Sequence, residues 1–150
     1  MTKTVAFMYI ALRLVLGGMM IYGGIQKFSK PMPTPQEVVE KAQKFSTPEK
    51  ENTQKIILYI NGMKQTGYFW ELLGICELLF GLLLILQYTS LVGALLLLPI
   101  TLHIFLFHLF LEPDEFGELL QTAGLFLINI ALVVKERDKI KPLLWIKPIS

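Results

Sequence analysis

The most constraining feature of this sequence is a long apolar stretch that carries almost no charge. From Leu72 to Leu111 the only formal charge belongs to Glu77. A water-soluble domain could not bury such a stretch without keeping a very apolar surface, whereas about 20 apolar residues suffice to cross a bilayer. The composition agrees, because charged residues make up 17% of the chain against about 25% in soluble domains. The sequence therefore predicts an integral membrane protein.

The apolar and polar segments predict one all-α domain over residues 1–150, a membrane bundle of four helices. The predicted spans cover about residues 5–26, 67–86, 91–111 and 116–134, with a loop at 27–66 and a basic tail at 135–150. Within the loop, Pro35 to Phe45 and a segment starting at Thr47 and Pro48 are predicted as short surface helices. Pro99 is expected to kink the third span, and Trp145 to anchor the tail at the membrane interface.

Charge and motif content exclude several classes of function. The net charge of +2 is too small to indicate a nucleic-acid partner. Cys76 is the single cysteine, so the chain has neither an internal disulfide nor a C-x-x-C pair. The sequence also lacks a nucleophile motif, a phosphate loop, an H-E-x-x-H motif and a Rossmann glycine pattern. We therefore assign no catalytic residue and no metal ligand from the sequence.

The distribution of lysine and arginine predicts the orientation. Four spans place both termini on one side, which carries Lys3 and the basic residues of the tail. The short acidic turn at residues 112–115 has no basic residue, while the loop at 27–66 carries lysines that oppose this orientation. Under the positive-inside rule we expect cytoplasmic termini.

Two ionisable residues lie deep in the predicted spans and are expected to face the bundle, because a charge facing lipid is costly. Counted from the ends of their spans on the side of the termini, Arg13 and Glu77 lie at about the same depth. The sequence therefore predicts an Arg13–Glu77 ion pair, to which Asn129 could add a hydrogen bond. A pair that fixes helix register is the more frequent case, and a catalytic pair the rarer one.

A second polar set gathers toward the side of the long loop and predicts an outer polar pocket. Its members are Tyr22, Gln26, Lys27, Glu71, His103, His108 and Gln121. The two histidines are five residues apart, so they lie on different helix faces and do not suggest a shared metal ion. Each could transfer a proton or form a hydrogen bond between helices, and the latter is the more common role.

Glycines are spaced along one face of each of the first two spans. Gly17 and Gly24 share a stripe of the first span with Arg13, and Gly74 and Gly81 share a stripe of the second with Glu77. Small residues allow membrane helices to approach closely. The four glycines therefore predict that these two spans pack against each other.

The order and spacing of several short motifs resemble the DoxX family of small bacterial membrane proteins with four spans. The motifs are Arg13-Leu-Val-Leu-Gly17, Gly23-Gly-Ile-Gln-Lys-Phe28, Gly67-Tyr-Phe-Trp-Glu-Leu-Leu-Gly-Ile-Cys-Glu77 and the segment from Leu98 to Pro113. The resemblance implies a membrane subunit with a protein partner, since some members are linked to thiosulfate:quinone oxidoreduction and others to redox-stress complexes.

Two functions from different classes follow from these observations. The leading hypothesis is a subunit of a redox or quinone-linked membrane complex, with quinone as the one cofactor considered for the outer pocket. The alternative is a non-enzymatic scaffold of an envelope or secretion complex, and a small-molecule carrier is less favoured because no inverted repeat is evident.

Overall fold

The computed structural model describes residues 2–144, which are helical apart from short connections. The helices are α1 (Lys3–Phe28), α2 (Pro35–Gln43), α3 (Glu51–Gln65), α4 (Phe69–Ile85), α5 (Ser90–Leu111), α6 (Phe116–Lys135) and α7 (Arg137–Leu144), with a 3-10 turn at Pro48–Lys50. The basic tail thus begins as a helix, and the predicted role of Trp145 lies outside the described residues.

Helices α1, α5 and α6 are each long and apolar enough to cross a bilayer. Helix α4 has 17 residues, the short end of the length that spans hydrocarbon, and an 88° bend separates it from α3. Gly67 lies at this bend with φ +75°, a backbone conformation that glycine adopts without strain. The all-α membrane architecture predicted from the sequence is confirmed.

The four long helices form an antiparallel bundle in which chain neighbours pack side by side. Helix α4 packs between α1 and α5, α5 packs on α6, and α6 returns to α1. We call the end where α1 and α5 finish the loop end, and the opposite end, where α4 and α6 finish, the terminal end. Helix α3 packs against α4 and α5, and α2 packs on α3. The long loop therefore contacts two of the membrane helices through α3.

Apolar side chains lie both inside and outside the bundle of long helices, as a bilayer requires. Leucines and one methionine fill the interior, among them Leu16, Met20, Leu84 and Leu97. Large apolar side chains also cover the outside, including Phe7, Leu14, Leu72, Ile75, Leu79, Leu120 and Leu127. Such an apolar surface would promote aggregation in water, but it is favourable against the hydrocarbon core of a membrane.

The loop helices begin where local chemistry supplies a cap. Thr34 accepts a hydrogen bond from the Glu37 N–H, and the Glu37 carboxylate accepts one from the Thr34 N–H, a capping box in front of Pro35. The hydrogen bonds that this carboxylate accepts from the Thr34 N–H and from the Thr34 hydroxyl lower the pKa of Glu37. The Thr47 side chain, in contrast, makes no capping hydrogen bond, and a 3-10 turn precedes α3.

Asn129 bridges α6 to the weakest point of α5. Pro99 lies inside α5 and has no N–H to continue the helical hydrogen bonds. In the amide orientation that satisfies its surroundings, Asn129 donates to the Ala94 carbonyl and accepts from the Leu98 N–H and the Thr101 hydroxyl at 3.0–3.1 Å. The fully buried Asn129 therefore fastens α5 beside its proline instead of joining Arg13 or Glu77.

Candidate functional site

The contact between α1 and α4 sets the position of every polar group at the loop end. A methyl group added at Gly17 would lie 2.9 Å from the Gly81 carbonyl oxygen, and one added at Gly24 would lie 2.8 Å from that of Gly74. The two helix backbones therefore touch at both glycine pairs, as close-packed membrane helices do. This register places Gly23 beside Glu77, since a methyl group there would lie 3.4 Å from the Glu77 carboxylate.

Lys27 is the partner of Glu77. Its Nζ donates to Oε2 of Glu77 at 2.6 Å, and the carboxylate is only 2% exposed. The predicted Arg13–Glu77 ion pair is therefore wrong. The prediction aligned the two spans at their ends on the side of the termini, whereas α1 is nine residues longer than α4 (26 against 17) and the glycine contacts align the loop ends.

Arg13 instead closes the terminal end of α4. Its Nε donates to the Leu84 carbonyl at 3.1 Å, and its Nη2 donates to the Ile85 carbonyl at 2.7 Å. The last four carbonyls of a helix have no partner within it, which is costly away from water. The Leu82 and Leu83 carbonyls accept hydrogen bonds from the Leu86 N–H and the Thr89 hydroxyl, so the last four carbonyls of α4 all have donors.

A recess of about 110 Å³ lies above the Lys27–Glu77 pair, between α3 and the bundle. Apolar and aromatic side chains form most of its wall: Ile60, Met63, Trp70, Leu73, Ile104 and Phe107. Lys27, Tyr59, Glu77 and His103 supply its polar groups. An apolar wall with a few polar groups is typical of sites for small organic ligands.

Tyr59 and His103 form the polar rim of the recess. The Tyr59 hydroxyl and Nε2 of His103 are hydrogen-bonded at 2.6 Å, and their rings are stacked with centroids 6.0 Å apart. Partial burial raises the pKa of the Tyr59 phenol above its ordinary value, which already lies well above neutral pH. The rim therefore joins α3 to α5 and presents a hydroxyl and an imidazole beside aromatic walls.

Trp70 ties the recess to the end of α1. Its indole Nε1 donates to the Lys27 carbonyl at 3.1 Å, and the ammonium groups of Lys27 and Lys64 lie 5.2 Å and 4.9 Å from the ring centroid. Both distances allow cation–π attraction. Burial, with the nearby Lys30 and Lys41, lowers the pKa of Lys64. The recess is thus bordered by two cations.

The structure separates the outer polar pocket that the sequence predicts into several parts. Lys27 and His103 line the recess, whereas Tyr22, Gln26 and Gln121 are exposed on the outside of their helices. Glu71 is partly buried, and its Oε2 makes no hydrogen bond within the described residues. His108 lies apart from the recess, 2.8 Å from Glu112.

Sequence reasoning missed Tyr59 and Trp70. A signal for Tyr59 was present, because Ile56, Tyr59, Ile60 and Met63 share one face of a helix in the loop, and a tyrosine on an apolar face needs a polar partner. Nothing in the sequence alone indicated that this face would settle on α4 and α5.

Comparison with known families matches residues 8–109 to the DoxX family model. This match covers about two thirds of the chain and confirms the resemblance seen in the motifs. Neither the curated proteins nor the solved structures give a significant match.

Proposed function

Because this chain belongs to the DoxX family and folds as a multi-pass membrane bundle, we propose that it is a membrane subunit of a redox complex and binds a quinone head group. The recess lined by Tyr59, His103 and Lys27 is the observation that supports this proposal. The binding surface lies at the loop end of the bundle, where a lipid-soluble ligand could enter from the membrane.

The recess suits a flat ring with polar atoms at its edge. Its volume of about 110 Å³ is smaller than the roughly 150 Å³ of an engineered cavity that binds benzene, so the recess would take one edge of the ring and leave the rest of the head group outside. A quinone carries two carbonyl oxygens, which accept hydrogen bonds and leave the ring faces apolar. The Trp70 and Phe107 side chains offer ring faces, and Tyr59 offers a hydroxyl.

Lys27 would orient the ligand from the floor of the recess. An ammonium group carries three N–H donors, and in the described part of the chain one of them goes to Glu77. A second donor could reach a carbonyl oxygen that points down toward α1. Glu77 holds the ammonium in place, so the pair positions a buried positive charge beside the ring.

Electrons must come from a partner protein. A single cysteine cannot hold an iron–sulfur cluster, whose usual ligands are four thiolates, and the sequence carries no nucleotide-binding glycine pattern. The proposed role is therefore to hold the quinone at the membrane while an associated oxidoreductase supplies the electrons. Purification in mild detergent tests this partnership, because a stoichiometric oxidoreductase supports it, whereas a secretion or envelope partner supports the scaffold alternative.

Binding of a fluorescent or radiolabelled quinone analogue to the purified chain tests the recess directly. Tyr59→Phe removes the phenol hydroxyl and keeps the ring, so we expect about a twofold to tenfold loss of affinity from one hydrogen bond worth about 0.5–1.5 kcal/mol. His103→Ala should weaken binding further by opening the rim. Tyr22→Phe is the matched control, because Tyr22 is 62% exposed and lies outside the recess. Unchanged binding in both recess variants would refute the proposal.

We also propose that the protein lies in the cytoplasmic membrane of a bacterium with both termini in the cytoplasm. Lys3 and the lysines of α7 lie at the terminal end, which supports this orientation under the positive-inside rule. A reporter enzyme that is active only outside the cytoplasm, fused after residue 144, should be inactive. The same reporter inserted after Ser46 in the long loop should be active, and the reverse pattern would overturn the orientation.

A further inference from the structure

Three side chains with metal-binding atoms converge where α5 turns into α6. His108 belongs to the last turn of α5, Glu112 caps that helix, and Glu118 belongs to the first turn of α6. Nδ1 of His108 lies 2.8 Å from Oε2 of Glu112 and 3.6 Å from Oε2 of Glu118, and the three ligand atoms lie within 4.8 Å of one another. None of these three residues lines the recess.

The spacing of the three atoms fits a shared cation. Zn²⁺ holds imidazole nitrogen and carboxylate oxygen at about 2.0–2.2 Å, so ligands of one tetrahedral ion lie about 3.4 Å apart. The two distances from Nδ1 lie on either side of that value. To take up such an ion, Nδ1 and the Glu112 oxygen would have to separate by about 0.6 Å, and Nδ1 and the Glu118 oxygen to approach by about 0.2 Å.

Hydrogen bonding within the cluster does not account for its geometry. Nδ1 of His108 is buried and forms no hydrogen bond, although a carboxylate oxygen lies 2.8 Å away. The contact is therefore poorly directed for a donated proton, and the two carboxylates near this nitrogen repel each other. A cation among the three atoms converts this repulsion into attraction.

Local electrostatics also favour a positive charge at this position. The C-terminal end of a helix carries partial negative charge, so the Glu112 carboxylate at the end of α5 is repelled by the last carbonyls of that helix. Glu118 is 64% exposed and leaves one side of the cluster open to water. A bound ion would keep coordination positions free for water or for an anionic group.

We propose that His108, Glu112 and Glu118 form a binding site for a divalent first-row transition metal ion of the Zn²⁺ or Mn²⁺ type. The mixed nitrogen and oxygen donors distinguish the site from the all-oxygen sites that Mg²⁺ and Ca²⁺ prefer. The ion would cross-link the end of α5 to the start of α6 at the loop end of the bundle.

Titration calorimetry with Zn²⁺ on the untagged full chain in detergent, after treatment with a chelator, tests this proposal. We expect one saturable equivalent for the wild type. Glu118→Gln keeps the size and the exposed position of the side chain but removes a charged ligand, so the affinity should fall at least about tenfold. Glu115→Gln is the matched control, since it removes a carboxylate from the same turn outside the triad and should leave the affinity unchanged.

A second readout guards against adventitious surface binding. Zn²⁺ should raise the unfolding temperature of the wild type and of Glu115→Gln, but not that of Glu118→Gln, because a ligand stabilises only the state that binds it. Absence of a saturable equivalent in the wild type would overturn the proposal. Equal affinities for Glu118→Gln and Glu115→Gln would overturn it as well.

Discussion

Alanine replacement at Gly17 should leave the bundle less stable than alanine replacement at its neighbour Gly18. A methyl group at Gly17 would lie 2.9 Å from the Gly81 carbonyl oxygen and 2.6 Å from a side-chain carbon of Ile85. A methyl group at Gly18 would meet no atom within 4 Å. The Ile85 side chain can rotate away, but the Gly81 carbonyl belongs to the backbone of α4, so the helices must separate.

The difference between the two variants isolates the cost of that separation. Each change gains the same helix propensity, about 0.8–1.0 kcal/mol for glycine to alanine. Overpacking at a closely packed contact costs about 1–3 kcal/mol. Gly18→Ala should therefore be more stable than the wild type by up to about 1 kcal/mol, and Gly17→Ala should lie about 1–3 kcal/mol below Gly18→Ala.

Reversible unfolding in mixed micelles with increasing dodecyl sulfate, followed by far-ultraviolet circular dichroism, measures both free energies under one condition. The reasoning requires Gly17→Ala to unfold at a lower detergent fraction than Gly18→Ala. Coincident unfolding curves would show that α1 and α4 do not touch at Gly17, and the register that brings Lys27 to Glu77 would lose its basis.

The remaining predictions concern the polar groups of the bundle, and the first two use the same unfolding assay. Arg13→Met leaves two α4 carbonyls without donors and should cost about 1–3 kcal/mol for each; a loss well below this range would contradict the capping role. Lys27→Met leaves the buried Glu77 carboxylate without its partner and should lower the free energy of unfolding by about 3–5 kcal/mol. Adding Glu77→Met to this variant should restore most of the lost stability. Additive effects in that double variant would argue against the pair. Asn129→Leu should speed hydrogen exchange of α5 beside Pro99, and unchanged exchange would count against the bridge.

The sequence predicts the fold well because each level of its pattern points to the same architecture. The charge-free stretches exceed what a soluble core can hide, and the prolines and lysines of residues 27–66 mark the loop that interrupts them. Helix α4 is the instructive case. Its apolar residues mark a span, but its short length and the bend at Gly67 depend on how α3 settles against the bundle.

The partner of Glu77 was harder to predict, because pairing depends on register. A depth count from span ends assumes helices of equal length, whereas the glycine contacts fix the register of α1 and α4 from residues inside the spans. Had the glycines been aligned first, with Gly17 opposite Gly81 and Gly24 opposite Gly74, Arg13 would have fallen level with Ile85 at the end of α4. Lys27 would have fallen level with Glu71, so its contact with Glu77 also depends on the long lysine side chain reaching back along α1.

Contacts between the loop and the bundle lay beyond prediction for a different physical reason. Tyr59 reaches His103 only because α3 folds back across α4 and α5, and that long-range placement leaves no periodic pattern in the sequence. Gly93 shows the same limit. An added methyl group there would collide with the α4 backbone at Leu84, yet Gly93 belongs to neither glycine stripe.

Photoaffinity labelling with an azido-quinone, followed by mass spectrometry of the labelled peptides, tests the central claim most directly. The account predicts covalent label on α3 between Tyr59 and Met63 or on α5 between His103 and Phe107, and competition by unlabelled quinone. Label confined to the outward apolar groove lined by Phe69, Leu72, Cys76 and Leu96 would contradict it, because the quinone would then behave as a lipid solute on the surface of the bundle.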